Sequence, residues 1–166
     1  HYRRYFTLPE GFVKEKVLLH FGAVDQECHV YLNGRRVGSH KGGYLPFSFD
    51  ITELLTDGEN VLTLCVKDMT EKSPHARGKQ KLVKKGKYGS LFYTPQSGIW
   101  KTVWMESVCR HYIESVKITP VFDEGKVKIR VLPEEKKDRD PETVSIRIYD
   151  GKNLVAEAIG TEGKTI

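Results

Sequence analysis

The chain has 166 residues, which suits one domain, or one complete domain with part of a second. Charged residues make up 30% of it, the mean hydropathy is -0.46, and no apolar run is long enough to span a bilayer, so no membrane partner is expected. The net charge of +5 would suit an acidic partner, but Arg77, Lys79, Lys81, Lys84, Lys85 and Lys87 crowd one glycine-rich, charged segment. That segment reads as a solvated loop, and no nucleic-acid partner is expected.

In chain order, Tyr2 to Leu8 alternates as a strand already in progress, so the chain is expected to begin inside a larger protein. Lys16 to Gly22 and Glu27 to Leu32 are the next strands. Asn33-Gly34 suits a two-residue hairpin loop, because both residues tolerate positive φ. Gly38, Gly42 and Gly43 imply backbone that bends or packs too closely for a side chain. Phe47, Phe49 and Ile51 then share one face of a returning strand. Asp50 to Leu55 reads as one helical turn capped by Asp50 or Thr52. Asp57-Gly58 turns the chain into a buried strand, Asn60 to Val66.

Asp68 to Lys87 has no period and is the longest loop. Trp100 to Val108 reads as one strand, which would place Trp100 and Trp104 on one face, with Trp104 in the core. The register restarts at Cys109 to His111. Tyr112 to Pro120, Gly125 to Leu132, Thr143 to Tyr149 and Leu154 to Ile159 follow as strands, with a charged loop from Pro133 to Pro141 and a turn at Asp150-Gly151. No window carries a helical apolar stripe, and the class is all-β.

Cys28, Cys65 and Cys109 are odd in number and lack any CxxC spacing, which argues against a disulfide framework and a zinc site. Cys28 and Cys65 lie in apolar strands and are expected to be buried thiols. A reducing compartment fits, though cytoplasm and periplasm both stay open. No HxH or HxxxH spacing joins the histidines, and His40 reads as a packing or turn-fixing residue. No serine sits in a nucleophile elbow and no phosphate loop occurs. Asp25 and Glu27 read as a solvent-facing pair on one strand face. No metal, cofactor or catalytic residue is expected.

Two ordered blocks resemble a known family. Val30-Tyr-Leu-Asn-Gly34 with His40-Lys-Gly-Gly-Tyr-Leu-Pro-Phe47 and Asp50-Ile-Thr52 form the first, and Tyr93-Thr-Pro-Gln-Ser-Gly-Ile-Trp100 the second. From Tyr2 to about Val108 the chain is similar to the N-terminal sugar-binding domain of glycoside hydrolase family 2, which holds β-galactosidases, β-glucuronidases and β-mannosidases. The resemblance implies a jelly-roll (galactose-binding-like) β-sandwich over 1–109, then a partial immunoglobulin-like β-sandwich over 110–166.

It also implies that the catalytic carboxylates lie on a downstream (β/α)8 barrel of the same chain, acting on terminal β-linked sugars. This piece would then be a non-catalytic fragment bracing that barrel and edging its carbohydrate pocket. In relatives the loop before Ser-Gly-Ile reaches the sugar, and several members carry an aspartate where this chain has Phe92. Tyr93 or Gln96 would substitute for it. Trp100 and the segment Arg77-Gly-Lys-Gln80 complete the expected pocket rim. The loop from Ser90 to Trp100 should project without pairing in a sheet, since Pro95 lacks an N–H and restricts Thr94. An autonomous carbohydrate-binding module remains an alternative.

Overall fold

Alternation along the chain becomes strands throughout. The computed structural model describes residues 1–82, 91–134 and 140–166, in two compact units, His1–Cys109 and Arg110–Ile166. The first unit holds β1 (Tyr2–Phe6), β2 (Lys16–Phe21), β3 (Val24–Asp25), β4 (Glu27–Leu32), β5 (Arg35–Lys41), β6 (Phe47–Asp50), β7 (Asn60–Lys67), β8 (Gly98–Ile99) and β9 (Val103–Val108). These pair antiparallel in a four-stranded sheet, β1-β7-β4-β5, a three-stranded sheet, β6-β2-β9, and the short pair β3-β8. Val17, Leu19 and Phe21 from β2 meet Cys28, Val30 and Leu32 from β4 and Leu62 and Leu64 from β7 in one core. Phe21 stacks on Phe47 with centroids 4.8 Å apart. Each such fully buried side chain contributes roughly 1.5–3 kcal/mol.

The corner between β4 and β6 follows from its small residues. Asn33 (φ 52°) and Gly34 (φ 78°) form the two-residue turn. The Asn33 amide also donates to the Leu54 carbonyl at 2.9 Å and to Asn60 Oδ1 at 2.8 Å, while its oxygen accepts the Val61 N–H at 2.8 Å. Asn60 is fully buried and donates to the Thr56 and Gly58 carbonyls, both at 3.0 Å. The turn residue therefore also fastens the start of β7. A Cβ at Gly38 would strike the Phe49 ring, so β5 and β6 approach only because that residue is glycine. His40 stacks on Phe47 at 4.0 Å. Thr52–Leu54 is a 3-10 turn, and Asp50 Oδ1 accepts the Thr52 N–H at 3.0 Å and its hydroxyl at 2.6 Å.

Expectations about strand limits and burial fail at three residues of this unit, Trp100, Trp104 and Cys65. The strand expected over Trp100 to Val108 is shorter: β8, paired with β3, ends at Ile99, β9, paired with β2, begins only at Val103, and Trp100 lies in the handover between them. The parity argument joining Trp100 to Trp104 therefore lapses. Trp104 is 44% exposed and stacks on His20 at 4.9 Å, outside the core. Cys65 is only partly buried, because the alternation of β7 turns Leu62 and Leu64 inward and Cys65 outward; Cys28 is buried, and all three cysteines are free.

The second unit consists of two antiparallel hairpins, β10 (Ile113–Val121) with β11 (Lys126–Pro133) and β12 (Thr143–Asp150) with β13 (Asn153–Thr161). Gly125 and Gly151, both at φ 59°, supply their turns. Ile129 and Val131 of β11 are buried, and Ile166 exchanges two 2.9 Å backbone hydrogen bonds with Ile129. The described residues contain three short 3-10 turns and no α-helix.

Candidate functional site

A cleft of about 570 Å³ opens in the first unit, where β3 and β8 meet two irregular segments. One segment follows β7 from Asp68 and the other precedes β8. Arg77, Gln80, Tyr93, Gln96 and Trp100 all line this cleft, so the five residues singled out in the sequence come together. Asp25, Tyr44 and Ser97 line it as well. Phe92 does not: its ring lies under Lys81, whose Nζ is 4.8 Å from the centroid.

Two of the aromatic walls are held by hydrogen bonds within the unit. Trp100 Nε1 donates to the Gly43 carbonyl at 2.7 Å, and its ring meets Tyr44 edge-on at 6.2 Å. The Tyr44 hydroxyl donates to the Ala76 carbonyl at 2.7 Å. Both rings thus connect the glycine corner to the cleft. Tyr93 and Trp100 stay 51% and 50% exposed, and Lys101 Nζ lies over the Trp100 ring, 4.8 Å from its centroid.

The loop before β8 does pair, against expectation. Tyr93 forms a parallel bridge with Gln80; its N–H donates to the Lys79 carbonyl at 3.2 Å, and its carbonyl accepts the Lys81 N–H at 3.1 Å. The Gln96 N–H donates to Gln80 Oε1. Gly98 and Ile99 pair with Asp25 and Val24. Pro95 keeps only the middle of the loop out of the ladders. The loop's first residue, Ser90, lies outside the described residues, as do Lys84, Lys85 and Lys87 of the basic segment.

Asp25 corrects another expectation. It belongs to β3, whereas Glu27 belongs to β4 in a different sheet, so the two form no shared solvent-facing pair. A Cβ at Gly43 would lie 2.7 Å from Asp25 Oδ1, so the glycine leaves room for the carboxyl at the cleft. Burial pushes the Asp25 carboxyl above its ordinary range, the charge of Asp68 pushes the same way, and His75 opposes them. Asp68 is also partly desolvated, but hydrogen bonds from Ser97 and Thr70 outweigh that and hold it below the usual carboxylate range. Neither aspartate carried a motif in the sequence; only the pairing of β3 with β8 brings Asp25 to the cleft. Among the described residues no group of three His, Cys, Asp or Glu side chains could hold a metal ion.

The chain is similar to known proteins along most of its length. The model of the "Glycosyl hydrolases family 2, sugar binding domain" matches residues 1–106. A β-galactosidase of Thermoanaerobacter pseudethanolicus is 36% identical over 117 residues, covering 69% of this chain and 14% of that protein. A β-glucuronidase of Formosa agariphila is 31% identical over 123 residues, covering 74% of this chain and 12% of the relative. Among solved structures, a β-glucuronidase from Ruminococcus gnavus in complex with an N1-substituted uronic isofagomine superposes with a TM-score of 0.71 at 26% identity. That likeness covers 97% of this chain and 29% of the other. The chain thus spans a small part of the length of each protein it matches.

Proposed function

The chain belongs to glycoside hydrolase family 2, and from that premise we propose that it is the non-catalytic N-terminal part of a retaining β-glycosidase. Its cleft would edge the sugar pocket of a catalytic barrel in the same chain. The observation that carries this reading is the convergence of Arg77, Gln80, Tyr93, Gln96 and Trp100 on one cleft with two half-exposed aromatic side chains.

In this reading the division of labour follows from chemistry. Retaining hydrolysis needs two carboxyl groups about 5 Å apart, one as acid/base and one as nucleophile, and the barrel would supply both. The cleft would contribute uniform binding. Tyr93 and Trp100 offer faces for the apolar side of a pyranose, while Gln80, Gln96 and Arg77 offer hydrogen bonds to its hydroxyl groups. Such contacts orient the terminal sugar without taking part in bond cleavage.

The test is made in the complete enzyme. Alanine at Tyr93 or Gln96 should lower kcat/KM on nitrophenyl β-galactoside or β-glucuronide by about tenfold to a hundredfold, the equivalent of a lost contact of about 1–3 kcal/mol. If both variants match the wild type on every glycoside tried, the cleft is a packing device. The exposed aromatic faces also favour a second reading, an autonomous carbohydrate-binding module. Saturable binding of a monosaccharide by the first unit alone would select it.

A further inference from the structure

Asp68 does not line the cleft, yet both irregular walls meet at its carboxylate. Its Oδ2 accepts the Ser97 hydroxyl at 2.6 Å and the Thr70 hydroxyl at 3.1 Å, and its Oδ1 accepts the Thr70 N–H at 2.7 Å. Ser97 ends the wall that carries Tyr93 and Gln96, and Thr70 begins the segment that leads to Arg77 and Gln80. Resting on the cleft reading above, we propose that Asp68 is a positioning residue for sugar recognition: it fastens the loop of Tyr93 and Gln96 to the segment of Arg77 and Gln80.

Two features of the site support this role. Thr70 adopts φ 42°, a left-handed conformation that a β-branched residue seldom takes unless its surroundings impose it. Thr70 donates both its N–H and its hydroxyl to Asp68, so this carboxylate braces the turn by which the chain leaves β7. The other described side-chain hydrogen bond between the walls runs from the Gln96 N–H to Gln80, beside the backbone bridge of Tyr93 with Lys79 and Lys81. Gln80 is itself a cleft residue, whereas Asp68 sits outside the lining, so its bonds do not compete with a ligand in the cleft. Charge-assisted hydrogen bonds of this kind are short and directional, which suits a fastening.

The experiment measures steady-state kinetics of the complete enzyme on nitrophenyl β-galactoside and β-glucuronide for Asp68→Ala, Asp68→Asn and Ser97→Ala, beside Tyr93→Ala. Asp68→Ala should raise KM about tenfold while kcat stays within about threefold, the pattern of lost uniform binding. Asp68→Asn should return KM to within about threefold of wild type, because its amide oxygen still accepts the Thr70 N–H and its NH2 can donate to Ser97. Ser97→Ala should fall between these two.

A residue that merely stabilised the fold would show neither the KM-against-kcat split nor the rescue by asparagine. KM for Asp68→Ala within twofold of wild type, or an equal loss of kcat in the alanine and asparagine variants, overturns the proposal. If Tyr93→Ala still raises KM in that case, the cleft reading survives alone. If Tyr93→Ala is also silent, both fall.

Discussion

Asp25 feels the charge of Asp68, yet their surroundings push the two carboxyls in opposite directions. Asp25 is raised, first by burial and then by Asp68, so the folded state holds its proton at pH values where the unfolded chain has released it. Stability therefore falls as pH rises through the window that begins at the ordinary carboxylate value of 3.8. Asp25→Asn should accordingly melt higher than wild type at pH 7, and the difference should vanish below about pH 3. Thermal scans across that range check it; an asparagine variant that melts lower at pH 7 would contradict the sign. Asp68 contributes with the opposite sign, since its lowered carboxyl stabilises the fold at neutral pH and loses that contribution as acid protonates it.

The cysteines make a second prediction at this scale. Burial raises the Cys28 thiol, a backbone hydrogen bond at His40 opposes it, and Glu27 adds to the rise. Under a limiting alkylating agent Cys109 should react first, Cys65 more slowly and Cys28 only after denaturation, as peptide mass mapping would show. The outward position of Cys65 was legible in principle: the leucines at 62 and 64 define the inner face of β7, and Cys65 has the other parity. Reading the run as uniformly apolar hid that.

At the scale of elements, local chemistry was readable and long-range convergence was not. Asn33-Gly34 announces its turn because the requirement for positive φ is met within two residues. The glycine corner was equally plain, but its reasons differ from position to position. Gly34 needs its backbone freedom and has open space around it, whereas Gly38 needs the absence of a side chain under Phe49. Gly34→Ala should therefore cost about 1 kcal/mol in urea unfolding. Gly38→Ala should cost more, about 1–3 kcal/mol, because β5 and β6 must move apart. Equal costs would show that the Phe49 ring gives way freely.

Trp100 and Trp104 mark the limit of such reading. Counting by twos holds only along an unbroken strand, and the chain passes from pairing with β3 to pairing with β2 just where the count was made. Five rim residues were named from the block Tyr93 to Trp100 and the segment Arg77-Gly-Lys-Gln80, but Asp25 and Asp68 lie 43 positions apart and meet only through the topology. No sequence spacing could join them.

The two units differ in how much apolar surface they bury within themselves. The first owns a continuous core from β2, β4 and β7, each a central strand of its sheet. In the second, Ile129 and Val131 are the buried hydrophobic residues among those described, while Ile118, Leu154, Val155 and Ile159 are exposed and Phe122 is 93% exposed. Fixing the backbone costs roughly 1–2 kcal/mol per residue, against roughly 1.5–3 kcal/mol regained for each fully buried large side chain. Two buried side chains cannot offset the ordering of four strands, so the hairpins of the second unit should open far more often than the first unit unfolds. Native-state hydrogen exchange on the 166-residue chain tests this directly. Amides of β2, β4 and β7 should exchange only through global unfolding, with protection near the full stability of the first unit. Those of β12 and β13 should exchange orders of magnitude faster, and β11 near Ile129 should be the slowest segment of its unit, because its side chains are buried there and Ile166 pairs with it. Protection in β12 and β13 equal to that in β4 would mean that the second unit is stabilised by more than its own described core.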